Sequence, residues 1–397
     1  MNKKSNFDII VVGGGISGLT CSLAFKRAGL SVALIEKKKL APIAKDDIRS
    51  LAIAPSSADF LRSIDVWQAI EAEAGQIQNI RVLDNYSPFF LDFVGVKAID
   101  EPIGYIIEAF KVQNHLIEEV LKSQKITIFD SCEIISYEYE EKTVTVKLSS
   151  EINLEASLII AADGKFSKMR ELLGIKSYVY DYQQVVMVAF CQHQKNHRNW
   201  AIEHFMPSGP FAILPLKDQK CSGIVWTERP ELAAEYCKMS EKNFEYFLNQ
   251  KFTDYLGKVK LKGKIKSYPL SLNFSTKYYS GRFVLIGDAA HTIHPLAGQG
   301  LNLGIRDIKL LVELVSRNFS LGLSIADETI LEEYQRTRLL DNSLMLMITH
   351  GLDTLFSNDY TLLKPVRKLG LSFVNKMKGL KSFFMTKAMG KNYKDLK

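Results

Sequence analysis

The chain lacks any run of 18 or more consecutive apolar residues, so it offers no membrane-spanning helix. Its opening, MNKKSNFDIIVVGGG, has an apolar stretch too short for the core of a secretory signal. Cysteine is scarce and unpatterned: Cys21, Cys132, Cys191, Cys221 and Cys237 are odd in number, with no C-x-x-C pair and no zinc-like spacing. They read as small apolar fillers in a reduced compartment, which points to a cytoplasmic protein with no metal site. No internal repeat or low-complexity linker is present, and 47% apolar with 24% charged residues excludes a disordered, collagen-like or multi-span membrane chain. At 397 residues, two or three domains are expected.

Excess positive charge is also missing from most of the chain. The formal charge is +7, yet residues 361–397 alone carry ten Lys and Arg and one acid, Asp395. The protein is not basic; its tail is. Within that tail Val366, Leu369, Phe373, Met377, Leu380 and Phe384 recur every three or four residues, the pattern of an amphipathic helix flanked by lysines. Such a segment either packs on the body or docks on an anionic membrane surface or an acidic partner. No groove-reading or base-stacking motif accompanies the charge, so nucleic acid is not expected as a partner.

What is present begins at once. Phe7 to Val12 is a buried-strand run followed by glycines, Leu19 to Ala28 follows as helix stopping at Gly29, and Leu30 to Ile35 is a second strand closed by Glu36. Gly13-Gly14-Gly15-Ile16-Ser17-Gly18 therefore fits G-x-G-x-x-G in the strand-to-helix context that gives the pattern meaning, with an acid 18 residues beyond the last glycine. Backbone N–H groups at the helix start would hold a pyrophosphate, and Glu36 a ribose 2′-hydroxyl. A second site follows the apolar run Phe283 to Ile286, at GDAAHTIHPLAGQGLNLGIRD, where a strand delivers Asp288 to its carboxyl end and a helix is expected from about Leu301. One nucleotide held at both places, with its pyrophosphate at residues 13 to 18 and its polyol and ring at 288 to 302, describes FAD better than NAD.

Further strands are expected over 134 to 162, with a turn at Glu140-Glu141-Lys142, and in Val185 to Phe190, Phe211 to Leu216 and Cys221 to Trp226. Residues 112 to 123 and 231 to 256 read as helix, and nearly everything beyond 300 can be helical. Strand ends of dinucleotide type at residues 12, 162 and 286 are separated by unlike sequence. The expected fold is therefore α/β: a discontinuous FAD-binding Rossmann-like domain (1–75, 101–175 and 275–345), an inserted strand-rich substrate domain (76–100 and 176–274), and a C-terminal helical, basic segment (346–397).

The run GDAAHTIHPLAGQGLNLGIRD, with GGGISG, LIIAADGKFSKMR and DDIRSLAIAPSS, resembles the FAD-dependent aromatic hydroxylases of the para-hydroxybenzoate hydroxylase type. Within them it is similar to the ubiquinone-biosynthesis hydroxylases, a likeness extended by YQRTRLLDN, HGLDTLFSN and LKSFFMTKAMG. The resemblance implies that Gly13, Gly15 and Gly18 contact the FAD pyrophosphate, Glu36 the adenosine ribose, and Arg49 and Gln113 other parts of the cofactor. It implies that Asp163 supports both FAD and a transient NAD(P)H, that Asp288 lies on the ribitol side, and that Pro295, Gly300 and Asn302 line the isoalloxazine. It further implies that NAD(P)H reduces FAD, that O2 then forms a flavin C4a-hydroperoxide, and that the distal oxygen attacks a polyprenylated phenol. No second G-x-G-x-x-G in strand-helix context is found, so NAD(P)H is expected to visit without a Rossmann domain of its own. A reductase of the polyprenyl type, or a hydroxylase acting on another aromatic ring, is the alternative. Peripheral contact with the inner membrane, or with a ubiquinone-biosynthesis complex, would suit the basic tail.

Other features read more plainly. His193 and His197 lie in the polar run QHQKNHRNW and are expected at the surface. His291 and His294 are the candidates for a proton-transfer role, although a flavin-proximal loop requires neither. Lysines alternating with Val259, Leu261 and Ile265 are expected as a solvated sheet face. Phe205, Phe211, Ile213, Leu214, Leu216 and Trp226 are either a wall over the flavin or simply core.

Overall fold

The structure, a computed structural model, describes residues 5–44, 47–84, 90–94, 101–252, 255–357 and 389–390. The basic amphipathic stretch of the tail, and part of the 76–100 insert, lie outside these residues.

Strand Ser5–Val12 pairs in parallel with Val32–Glu36 on one side and Asn153–Ala161 on the other. Val32–Glu36 pairs with Ile126–Asp130, and Asn153–Ala161 with Phe283–Leu285, both again parallel. Every residue from Ile9 to Val12 and from Leu158 to Ala161 is buried, as expected for strands covered on both faces. Register sets Val12 beside Ala161, and Ala161 beside Leu285. Three carboxyl ends, separated by more than a hundred residues in the chain, thus open onto one edge, where open α/β sheets bind ligands.

A second sheet of eight strands runs in the order 291–292, 259–275, 177–193, 221–228, 209–215, 200–206, 79–84, 90–94. One face is covered by helices Pro230–Lys238 and Glu241–Phe252, with Phe244, Leu248 and Phe252 packed against Met187, Phe211, Ile224 and Trp226. The expected single helix over 231 to 256 is therefore two, because Met239 leaves the helical region with ψ 156°. The opposite face turns toward the parallel-sheet unit through a three-stranded sheet of Ser50–Ile53, Gly104–Glu108 and Gly75–Ile77. Gly223 marks the contact: a Cβ there would meet Ser50 Oγ at 1.9 Å.

Two long helices complete the fold, Gln299–Ser320 and Glu328–Phe356. The first starts two residues before Leu301, because Gly298 at φ +61° turns the chain directly into it. Asp327 caps the second, accepting from Thr329 N at 3.0 Å. Among the described residues no helix is long and apolar enough to cross a membrane.

Candidate functional site

At the first strand end Gly13 adopts φ +111°, and a Cβ there would stand 2.5 Å from the Ala162 carbonyl oxygen. Only glycine lets the two parallel strands close at this point. Helix Ile16–Arg27 then starts at Gly15 with no side-chain cap and no acid in its first turn. Its leading N–H groups are open to an anion, and no atom lies within 4 Å of a Cβ placed on Gly15. Gly18 is buried in the first turn. Glu36, at the end of the next strand, accepts from Gly14 N and, at 2.9 Å, from Lys38 N. This binds the acid to the glycine turn itself, so the corner is formed as one piece.

The other end is built from three segments. Asp288 follows Gly287 at the end of strand Phe283–Leu285, and its side chain is accessible although protein surrounds it. That burial raises its carboxyl pKa, against the pull of His291, Arg49 and Lys165. Arg49 forms a bidentate pair with Asp47, at 2.8 and 2.6 Å. Its carbonyl accepts from Ala109 N, 2.9 Å away, at the start of the helix Ala109–Leu121 that carries Gln113 one turn further on. Gln113 is half-buried there, and its neighbour Asn114 pins the Ile43 backbone in both directions, at 2.8 and 3.1 Å.

Asp163 works on the protein: it accepts from Ser167 Oγ at 2.6 Å and Met169 N at 3.0 Å, and so shapes the turn into helix Lys168–Leu172. From that helix Arg170 reaches back to Ala289 O (2.8 Å) and Lys165 O (2.9 Å), tying the residue-163 turn to the residue-288 loop. Asn302 acts in the same way. It is 1% exposed, accepts from Ala54 N and Ser57 Oγ at 2.8 Å each, and donates to Ala52 O and Gly298 O. Its side chain therefore locks the loop that displays Pro295 and Gly300, with no polar atom left to face a ring. Gly298 packs so closely that a Cβ would sit 2.6 Å from that of Ala52. Gly300, by contrast, has open space beside it. Helix Gln299–Ser320 lacks a side-chain cap and a first-turn acid, which leaves a second set of helix-start N–H groups on this side.

Behind the loop lies a network that motif reading does not reveal. Asp307, fully buried, accepts from Gly287 N at 2.9 Å and holds His291 Nε2 at 2.6 Å with one oxygen. Its other oxygen takes Arg338 Nε at 2.7 Å. Arg338 continues to Asp341 (2.7 Å) and Asn342 (2.8 Å), and Asn342 donates to Tyr278 OH at 3.1 Å. Burial raises the Asp307 carboxyl, but His291 and Arg338 outweigh it and bring it down to about 2. The available signal was polar residues at positions 338, 341 and 342, with helical spacing in an otherwise packed helix. His291 is thereby a loop-positioning residue, 1% exposed. His294 is equally buried, with Nε2 3.2 Å from Gln184 Oε1 and 3.7 Å from Asp353; burial lowers its pKa, opposed by Asp353.

His193 and His197 are not surface residues: each is 3% exposed. The turn after Leu216 folds over them, so that His197 bonds Leu216 O at 2.9 Å and His193 lies 3.0 Å from Ser222 Oγ. The polar run QHQKNHRNW supplies buried structural hydrogen bonds. Strand alternation also divides the six wall candidates. Phe211, Ile213 and Trp226 face helices 230–252 as core. Leu214 and Leu216 face the other way with Ile77, Ile103 and Ile106, while Phe205 meets Leu296 of the loop after Asp288 together with Leu91 and Phe356. Among the described residues no group of three or more His, Cys, Asp or Glu is placed to hold a metal ion.

The FAD binding domain family matches residues 6–346. The chain is 36% identical over 385 residues to the ubiquinone hydroxylase UbiL of Rhodospirillum rubrum, covering 96% of this chain and 89% of that one. It is 29% identical to the 3-demethoxyubiquinol 3-hydroxylase of Escherichia coli, over 96% and 98% of the two chains. Among solved structures, p-nitrophenol 4-monooxygenase PnpA from Pseudomonas putida aligns with a TM-score of 0.80 at 18% identity, over 98% and 99% of the two chains. PqsL from Pseudomonas aeruginosa, a probable FAD-dependent monooxygenase, aligns at 0.77 and 17% identity, over 93% and 100%.

Proposed function

The chain belongs to the FAD binding domain family, and from that premise we propose that it hydroxylates the aromatic ring of a polyprenylated phenol in ubiquinone biosynthesis, using NAD(P)H and O2. It is an FAD-dependent monooxygenase. The observation that carries the reading is that two uncapped helix starts, at Gly15 and Gly298, follow strands Ser5–Val12 and Phe283–Leu285, which flank strand Asn153–Ala161 on its two sides. An elongated dinucleotide with an anionic middle and a ring at one end fits that pair.

Gly13, Gly15 and Gly18 would hold the pyrophosphate and Glu36 the adenosine ribose, while Asp288 would take the ribitol hydroxyls. Pro295 and Gly300 would line the isoalloxazine, with Asn302 fixing their loop. Arg49 and Gln113 would border the same space, with Asp163 ordering a turn through its bonds to Ser167 and Met169. Bound FAD supplies the redox chemistry by which NAD(P)H electrons activate dioxygen. The chain's own part is to orient the phenol, to exclude water behind Phe205, Leu91 and Leu296, and to present the helix start at Gly298 to negative charge on the reduced ring. The division proposed is a cofactor domain (1–75, 101–175, 275–345), a substrate domain (76–100, 176–274) and a C-terminal segment (346–397). The lysine-rich tail is read as a peripheral membrane contact that serves a lipid-soluble substrate.

The test is oxygen labelling. Purified yellow holoenzyme supplied with NAD(P)H, 18O2 and 2-(3-methylbut-2-enyl)phenol is expected to give a product heavier by one 18O atom. Reduction of the same phenol without oxygen would instead support a reductase and overturn the reading.

A further inference from the structure

Strand Trp200–Met206, sequence WAIEHFM, alternates between two apolar environments. Ile202 and Met206 pack with the helices over the outer face. Ala201 packs with Ile77, Ile103 and Leu216, and Phe205 with Leu296, on the face turned toward the ring-side loop. Glu203 falls between Ala201 and Phe205 on that second face. Its cross-strand neighbours are Val82 and Ala212. Small residues, Ala201 and Ala212, stand beside a carboxylate that has no hydrogen bond or ion pair among the described residues.

An unpaired carboxylate on an apolar wall is unfavourable unless something pairs with it. The side chain is half-buried, so it is not sealed off from a ligand. We infer that Glu203 is the group that contacts the hydroxyl of the aromatic substrate and takes its proton, an inference that rests on the hydroxylase reading above. The phenol O–H bond breaks, the proton passes to a Glu203 carboxylate oxygen, and the electron pair stays on the phenolate, enriching the ring for attack by an electrophilic oxygen. The proton returns to the oxygen of the product, so no further reactant is consumed.

Burial alone raises the Glu203 carboxyl to about 7, which suits a base working near neutral pH. The neighbouring ionisable groups leave it in that state. Asp84 shares its face at the end of strand Asn79–Asp84 and is buried with partners of its own. His294 and Asp353, on the segments carrying Leu296 and Phe356, are engaged with Gln184. Arg81, paired with Asp92, and His204 belong to the opposite face.

The holoenzyme is assayed with 2-(3-methylbut-2-enyl)phenol and with its methyl ether, which has no hydroxyl proton. In the unaltered enzyme, phenol affinity, read from the perturbed flavin spectrum, is expected to tighten about tenfold between pH 6 and pH 8, and ether affinity to stay flat. Glu203→Gln is expected to retain bound FAD, to lose the pH dependence, and to lower ring hydroxylation at least 100-fold while NAD(P)H oxidation continues with release of hydrogen peroxide. Phenol affinity independent of pH in the unaltered enzyme, or full hydroxylation by Glu203→Gln, overturns the inference. Failure of the unaltered enzyme to oxygenate the phenol at all overturns the hydroxylase reading instead.

Discussion

His291 Nε2 lies 2.6 Å from Asp307 Oδ2 in a place where neither side chain is more than 1% exposed. The same oxygen receives Gly287 N, so one carboxylate sets both the turn before Asp288 and the imidazole after it. Helix Gln299–Ser320 thereby dictates the shape of the loop from beneath.

Asp307→Asn removes one of the two carboxylates that pair with buried Arg338 and leaves Asp341 at 2.7 Å; breaking a buried pair costs at most about 3–5 kcal/mol. Urea unfolding at pH 7 should show a loss up to that size, with the native secondary structure retained by circular dichroism before denaturant is added. The Asp307 carboxyl is depressed when folded, so its contribution is present above the unfolded value and lost as pH falls from 3.8 to about 2. The variant should accordingly show a shallower dependence of stability on pH across that window.

Gly13→Ala tests the strand-end geometry. The new methyl would meet the Ala162 carbonyl at 2.5 Å with φ at +111°, so backbone must shift at the phosphate corner. Strain of about 1–3 kcal/mol is expected. FAD titration should show affinity falling at least roughly 100-fold, since the N–H groups move with the backbone. Retention of wild-type affinity would mean that the pyrophosphate lies elsewhere.

That corner was legible in the sequence for a physical reason. Strands covered on both faces read as uninterrupted apolar runs, and Ile9–Val12, Leu158–Ala161 and Phe283–Ile286 all stop at glycine or Asp-Gly. The division of the wall candidates was not legible, because which of Phe205, Phe211 and Trp226 faces the loop after Asp288 depends on register within one sheet. Hydrophobicity is the same on both faces. The break at Met239 was hidden by Phe244, Leu248 and Phe252, which keep a helical period beyond it. His193 and His197 were misjudged because local polarity reports nothing of the turn at 216–220 that covers them. Glu203 carries no motif, and only its position between Ala201 and Phe205 makes it conspicuous.

Arg170→Lys probes the link between the two loops. One ammonium cannot span both Ala289 O and Lys165 O, which the guanidinium reaches at 2.8 and 2.9 Å. Losing one charge-assisted bond costs about 1.5–3 kcal/mol, or roughly 10- to 100-fold in FAD affinity if the loop must be reordered on binding. Thermal unfolding of the apoprotein should change less than that of the holoprotein. Equal losses in both would assign Arg170 to the fold and remove it from the site.

Asp288 should separate binding from stability. The protein packed around it raises its folded carboxyl pKa although the side chain reaches solvent, so near neutral pH the charged form opposes folding by a small, solvent-screened amount, and this cost disappears as pH falls far enough to protonate the group. Asp288→Asn should therefore raise the Tm of the apoprotein at pH 7, and the gain should shrink toward pH 4. The same change removes a charged acceptor for the ribitol hydroxyls, a loss of about 1.5–3 kcal/mol, so the variant should bind FAD roughly 10- to 100-fold more weakly. A residue kept for function at the expense of the empty fold must show both signs at once. If apoprotein stability and FAD affinity both fall, Asp288 belongs to the framework, as Asp307 does, and the ribitol contact lies with another group.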